Sequence, residues 1–138
     1  MAHSILIVED EPNIVELLTF LMKRAGHKVR IARDGDAALR NLQAEVPDLV
    51  LLDVMLPRRD GLEVCRAIRE NPAWQAIRVI MLTAKGRDLD RRKGMEMGAD
   101  AYVIKPFATQ EILQCIESLL AQTREGDSST PEQGDGNA

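Results

Sequence analysis

The chain has 138 residues and a mass of 15.4 kDa, the size of a single domain. Its 45% hydrophobic and 29% charged residues supply enough apolar surface for a core, which excludes global disorder. A formal net charge of −4 and an isoelectric point near 5.2 offer no basic stripe to a polyanion, so direct DNA binding is not expected.

Met1-Ala2-His3-Ser4 passes directly into the apolar run Ile5 to Val8, without the basic and long apolar regions of a secretory signal. That run reads as a first strand. Pro12 suits a first helical turn, and Ile14, Leu17, Leu18, Leu21 and Met22 keep the spacing of one buried helical face until Gly26 stops it. Lys28 to Ala32 alternates polar with apolar, as an edge strand does. Ala37, Ala38, Leu39 and Leu42 predict a second helix entered from Asp34 or Asp36. A third strand follows at Leu49 to Leu52. Leu62, Val64, Cys65 and Ile68 predict a third helix after Gly61, closed by Pro72. Val79 to Leu82 is a fourth strand, and residues 88–97 form a charged fourth helix ending at Gly98. Ala101 to Ile104 is the fifth strand, and Ile112, Leu113, Ile116, Leu119 and Leu120 mark the last helix.

Thr123 to Ala138 has no large apolar residue and four acids against Arg124 alone, so the expected organisation is a folded domain over 1–122 and a disordered acidic tail over 123–138. No apolar run approaches the ~20 residues of a bilayer span. A soluble, cytoplasmic protein without membrane partners is expected. Cys65 and Cys115, with only His3 and His27 beside them, make neither a disulfide framework nor a zinc set, and read as small buried or half-buried hydrophobes.

Five βα units with right-handed crossovers build an open α/β fold, a doubly wound five-stranded parallel sheet whose ligands gather at the carboxyl ends of the strands. Those ends carry Glu9-Asp10, Asp53, Thr83 and Lys105-Pro106. Three carboxylates at one small site crowd like charges and suit a hard divalent cation, Mg²⁺. Lys105 adds a point charge and Thr83 a hydroxyl donor, each suited to a phosphoryl oxygen. Carboxylate nucleophile, metal and lysine together are the apparatus of phosphoryl transfer. Neither GxxxxGK[ST] nor GxGxxG occurs, so a nucleotide is not the obvious donor.

VEDEP at 8–12, LLDVMLPRRDGLEVCR at 51–66, MLTA at 81–84 and GADAYVIKPF at 98–107 resemble the receiver domain of bacterial two-component response regulators, over about residues 4–121. The resemblance implies the flavodoxin-like (βα)5 fold with strand order 2-1-3-4-5, and a CheY-like signalling module rather than an enzyme. It makes Asp53 the phosphoacceptor, Asp10 and Asp53 direct Mg²⁺ ligands, the Met55 backbone carbonyl a third ligand and Glu9 a helper through water. It also makes Thr83 and Lys105 the holders of phosphoryl oxygens, Lys105-Pro106 a cis bond, and Thr83 with Tyr102 the switch pair. The implied phosphodonor is a histidine kinase or a histidine phosphotransfer protein.

With only sixteen residues after the domain, the expectation is a stand-alone receiver acting on another protein. Receivers of winged-helix regulators dimerise by ion pairs through the fourth helix, fifth strand and fifth helix. Ala101 and Cys115 stand where that branch has an acid and an arginine, while Asp100, Arg91 and Glu111 remain, so a monomer or weak dimer is expected. An aspartyl-phosphate hydrolase is disfavoured by Met55, which occupies the place of a general acid. A phosphorylation-independent pseudo-receiver, serving as a protein-interaction module, is the alternative that the full acidic, threonine and lysine set argues against. Arg58-Arg59 reads as a solvated loop.

Overall fold

The computed structural model describes residues 2–58, 60–84 and 88–122; the tail assigned to 123–138 and Arg59 lie outside them. Its elements are β1 (Ser4–Val8), α1 (Pro12–Arg24), β2 (Lys28–Ala32), α2 (Gly35–Ala44), β3 (Leu49–Asp53), α3 (Gly61–Glu70), β4 (Arg78–Ala84), α4 (Asp88–Glu96), β5 (Ala101–Lys105) and α5 (Thr109–Ala121). The strands form one parallel sheet in the order β2-β1-β3-β4-β5, the flavodoxin-like arrangement.

Alternate residues of each central strand enter different cores. Leu6, Val8, Val50, Leu52, Val79 and Met81 pack with Ala38 and Leu42 of α2 and Val64, Cys65 and Ile68 of α3. Ile5, Ile7, Leu49, Leu51, Ile80 and Leu82 pack with Leu18 and Met22 of α1 and Ile112 and Ile116 of α5. Burial on both faces is why these strands read as unbroken apolar runs, whereas the edge strand β2 alternates.

Local signals set the helix ends. The Asp34 carboxylate accepts from Ala37 N–H at 2.7 Å and caps α2, deciding between the two candidate entry acids; Asp60 caps α3 through Glu63 N–H at 2.9 Å. Gly26 (φ 91°) ends α1 with paired bonds from Gly26 N–H to Lys23 O and from His27 N–H to Met22 O. Gly98 (φ 106°) ends α4 in the same way, through Met95 O and Gly94 O.

Two expectations change. Leu17 is 39% exposed, and Val15 takes its place on the buried face of α1. Pro72 does more than close α3: it opens a 3-10 turn, Pro72–Trp74, that buries Trp74 under the same core as α3. No described helix is long and apolar enough to cross a membrane.

Candidate functional site

Because all five strands are parallel, their carboxyl ends share one edge, where β1, β3 and β5 deliver an acid pair, an acid and a lysine. Glu9 is fully buried and both its oxygens are engaged: Oε1 faces Lys105 Nζ at 2.9 Å, and Oε2 accepts from Glu11 N–H at 3.1 Å. Asp53 is 3% exposed; its Oδ1 accepts from Met55 N–H at 3.2 Å and lies 3.4 Å from Lys105 Nζ. Asp10 is exposed beside them, and Glu9, Asp10 and Asp53 each offer an oxygen within 4.8 Å of the others. A cavity of about 450 Å³ opens onto this group, lined among others by Asp10, Glu11, Asp53, Met55 and Lys105.

Burial, and then the charge of Glu9, push the Asp53 carboxyl up from 3.8 to about 7, against the opposing pull of Lys105 and the Met55 N–H. Burial draws the Lys105 ammonium down, but its contacts with Glu9 and Asp53 outweigh that and hold its pKa above the usual lysine value. The lysine therefore stays charged and ties the two acids together. Three hard oxygen donors beside one another are the ligand chemistry of Mg²⁺ rather than of zinc or copper.

Thr83 lies within β4 and is buried; among the described residues its Oγ1 has no hydrogen-bond partner. Tyr102 is half-buried on β5, opposite Met81, and Thr83 stands opposite Ile104. The Tyr102 hydroxyl accepts from Arg91 Nη1 at 2.8 Å, with the guanidinium 4.8 Å over its ring. The Lys105-Pro106 bond is cis. The Met55 side chain is 56% exposed at the cavity mouth.

Two of the charged groups left over for pairing between chains are engaged within this one. Asp100 is bound to Arg69 at 2.8 Å and accepts from Val79 N–H at 2.8 Å, and Arg91 is on Tyr102. Sequence reasoning also passed over Glu11, whose carboxylate lies 3.7 Å from Lys105 Nζ. Its signal was present as a third acid at the end of the first strand, in EDE.

The sequence matches the family model of the response regulator receiver domain over residues 5–117. The chain belongs to that family. This receiver is 35% identical to a protein assigned as a response regulator in Chloroflexus aurantiacus, covering 88% of this chain and 100% of that one with a TM-score of 0.84. NtrX from Brucella abortus is 32% identical over 87% of this chain but only 28% of its own, with a TM-score of 0.79. The receiver domain of a sensor histidine kinase from Pseudomonas aeruginosa is 28% identical, covering 88% of this chain and 100% of that one with a TM-score of 0.81; its active-site cleft coordinates a magnesium ion. The family places the chain in two-component signalling.

Proposed function

We propose that this receiver accepts a phosphoryl group on Asp53 from a histidine kinase or a histidine phosphotransfer protein, with Mg²⁺ as cofactor. The observation that carries the reading is the buried Asp53 carboxylate at the end of β3, 3.4 Å from the Lys105 ammonium and clustered with Glu9 and Asp10. Asp10 and Asp53 would hold the ion directly with the Met55 carbonyl. Glu9 would act through water, since both its oxygens already have nitrogen partners. When bound, Mg²⁺ offsets the charge of the phosphoryl oxygens and of the acids around it.

In the transfer, an Asp53 carboxylate oxygen attacks phosphorus, and the bond from phosphorus to the donor's leaving atom breaks with its electron pair going to that atom. Lys105 Nζ and the Thr83 hydroxyl would receive the phosphoryl oxygens, and the free Oγ1 of Thr83 supports that assignment. Thr83 and Tyr102 would then carry the change to the face of α4, β5 and α5, which acts on a protein partner. The chain works as an acceptor of its own modification, on the cytoplasmic side, through its domain over residues 1–122.

Incubation with acetyl phosphate and Mg²⁺ should add one phosphoryl group by intact mass. Asp53→Asn should abolish the addition with the fold retained, and Asp10→Asn should raise the Mg²⁺ requirement at least tenfold, an order-of-magnitude expectation for a lost ligand. Full labelling of Asp53→Asn would remove Asp53 from its role, and no labelling of the wild type would favour a pseudo-receiver.

A further inference from the structure

Three carboxylates surround Lys105, yet only two belong to the buried cluster. Side-chain exposure rises from 5% at Asp53 and 18% at Lys105 to 62% at Glu11, so Glu11 stands at the rim of the cavity whose floor holds the other two. The Glu11 side chain makes no hydrogen bond to cap α1, although it occupies the N-cap position. The contribution of this residue to the site's architecture comes instead from its backbone N–H, which fixes Glu9. Its carboxylate is thus spent on no cap and stands at the entrance, 3.7 Å from the cation that would meet an incoming phosphoryl oxygen.

We propose that Glu11 is a specificity-determining residue that selects phosphodonors by charge, disfavouring small dianions and favouring donors whose leaving part carries a compensating positive charge. The inference rests on the reading of Asp53 as phosphoacceptor. Its physical basis is direct repulsion of the donor's charge at the cavity mouth, together with competition for Lys105. In a water-like surrounding at roughly 7 Å, one fixed charge changes the local concentration of an ion about threefold per unit of the ion's charge. The effect should therefore scale with donor charge and be screened by salt.

Glu11→Gln keeps the backbone N–H and nearly the same shape. Its phosphorylation should be compared with wild type using acetyl phosphate, a dianion at neutral pH, and phosphoramidate, whose leaving nitrogen is protonated. The expected result is about a tenfold gain with acetyl phosphate and about threefold with phosphoramidate, in the donor concentration for half-maximal rate rather than in the saturated rate. Both gains should shrink at about 0.5 M salt, where screening acts within about 4 Å. Glu16→Gln, the same charge change on an exposed α1 residue, should do neither. A wild type that labels normally while Glu11→Gln changes neither donor, or both equally, overturns the role of Glu11 alone. A wild type that takes label from no donor overturns the phosphoacceptor reading, and this inference with it.

Discussion

Asp53 is held in an environment that penalises its charge, and this sets a pH dependence that can be signed. Its folded pKa, about 7, lies above its unfolded value, so the unfolded chain binds fewer protons between roughly pH 4 and 7. Its contribution to stability is full below pH 4 and is lost as pH rises through 7. Asp53→Asn removes that loss. In chelator, the stability difference between the variant and wild type should grow in favour of the variant from pH 5 to pH 8, by about 2–3 kcal/mol at roughly 1.4 kcal/mol per pKa unit. Urea unfolding at the two pH values measures it. A difference that stays flat would mean that Asp53 keeps its charge at pH 5 through a stronger hold by Lys105 than its 3.4 Å separation implies. Added Mg²⁺ should stabilise the wild type more than the variant, because a bound cation needs the ionised acid.

At the level of elements, α4 stands apart. Helices α1, α2, α3 and α5 each bury apolar side chains, while on α4 Leu89 and Met95 are exposed and the close approach to the sheet is made by Gly94, where an added Cβ would come within 3.3 Å of Met81 Cγ. Its C-terminal end is secured by Arg69, which donates to Gly98 O at 2.8 Å. Toward its N-terminal half stands the contact of Arg91 with Tyr102. Arg91→Ala should therefore raise amide exchange in the first turns of α4 and leave α1 and α3 unchanged, and a cycle with Tyr102→Phe should give a coupling of about 0.5–1.5 kcal/mol. Uniform exchange across all helices would contradict the assignment. The same features explain what could be read beforehand. Strands with both faces covered, and helices with a clear stripe, were legible because burial writes itself into periodicity. The strand-end groups Asp53, Thr83 and Lys105 were legible because a parallel sheet gathers its carboxyl ends at one edge. Leu17 misled because a five-position apolar stripe, with Val15 beside it, shows that a buried face exists but not which flank the neighbouring strand leaves open. Glu11 was legible as a third acid at the strand edge but was passed over, while the contact of Arg91 with Tyr102 was not legible, since only the tertiary fold brings the two together.

At the scale of the whole fold, three arginines among the described residues join elements by the same device, a guanidinium placed on the carbonyls at a helix C-terminal end. Arg30 of β2 donates to Asn41 O and Glu45 O at the end of α2, Arg69 of α3 to Gly98 O after α4, and Arg78 of β4 to Leu119 O and Gln122 O at the end of α5. A cation there opposes the negative end of the helix dipole and adds a donor to carbonyls such as Asn41 O and Leu119 O, which also accept from Glu45 N–H and Gln122 N–H. Arg78 is the most buried of the three, and it reaches two carbonyls at the end of α5, Leu119 O and Gln122 O. Truncation after Gln122 should then leave urea stability within about 0.5 kcal/mol of the full chain. Truncation after Ser118 removes Leu119 and two of the acceptors of Arg78, and should cost about 3–5 kcal/mol from lost apolar burial and weakened hold on that charge together. The two causes separate through Arg78→Met. In the chain ending at Gln122 this substitution should cost about 1–3 kcal/mol, because it removes the guanidinium from Leu119 O and Gln122 O. In the chain ending at Ser118 it should cost little, because those carbonyls are already gone. Equal costs in both backgrounds would show that Arg78 acts through the turn before its own strand, by way of Ala76 O, and that α5 is held by its apolar face alone.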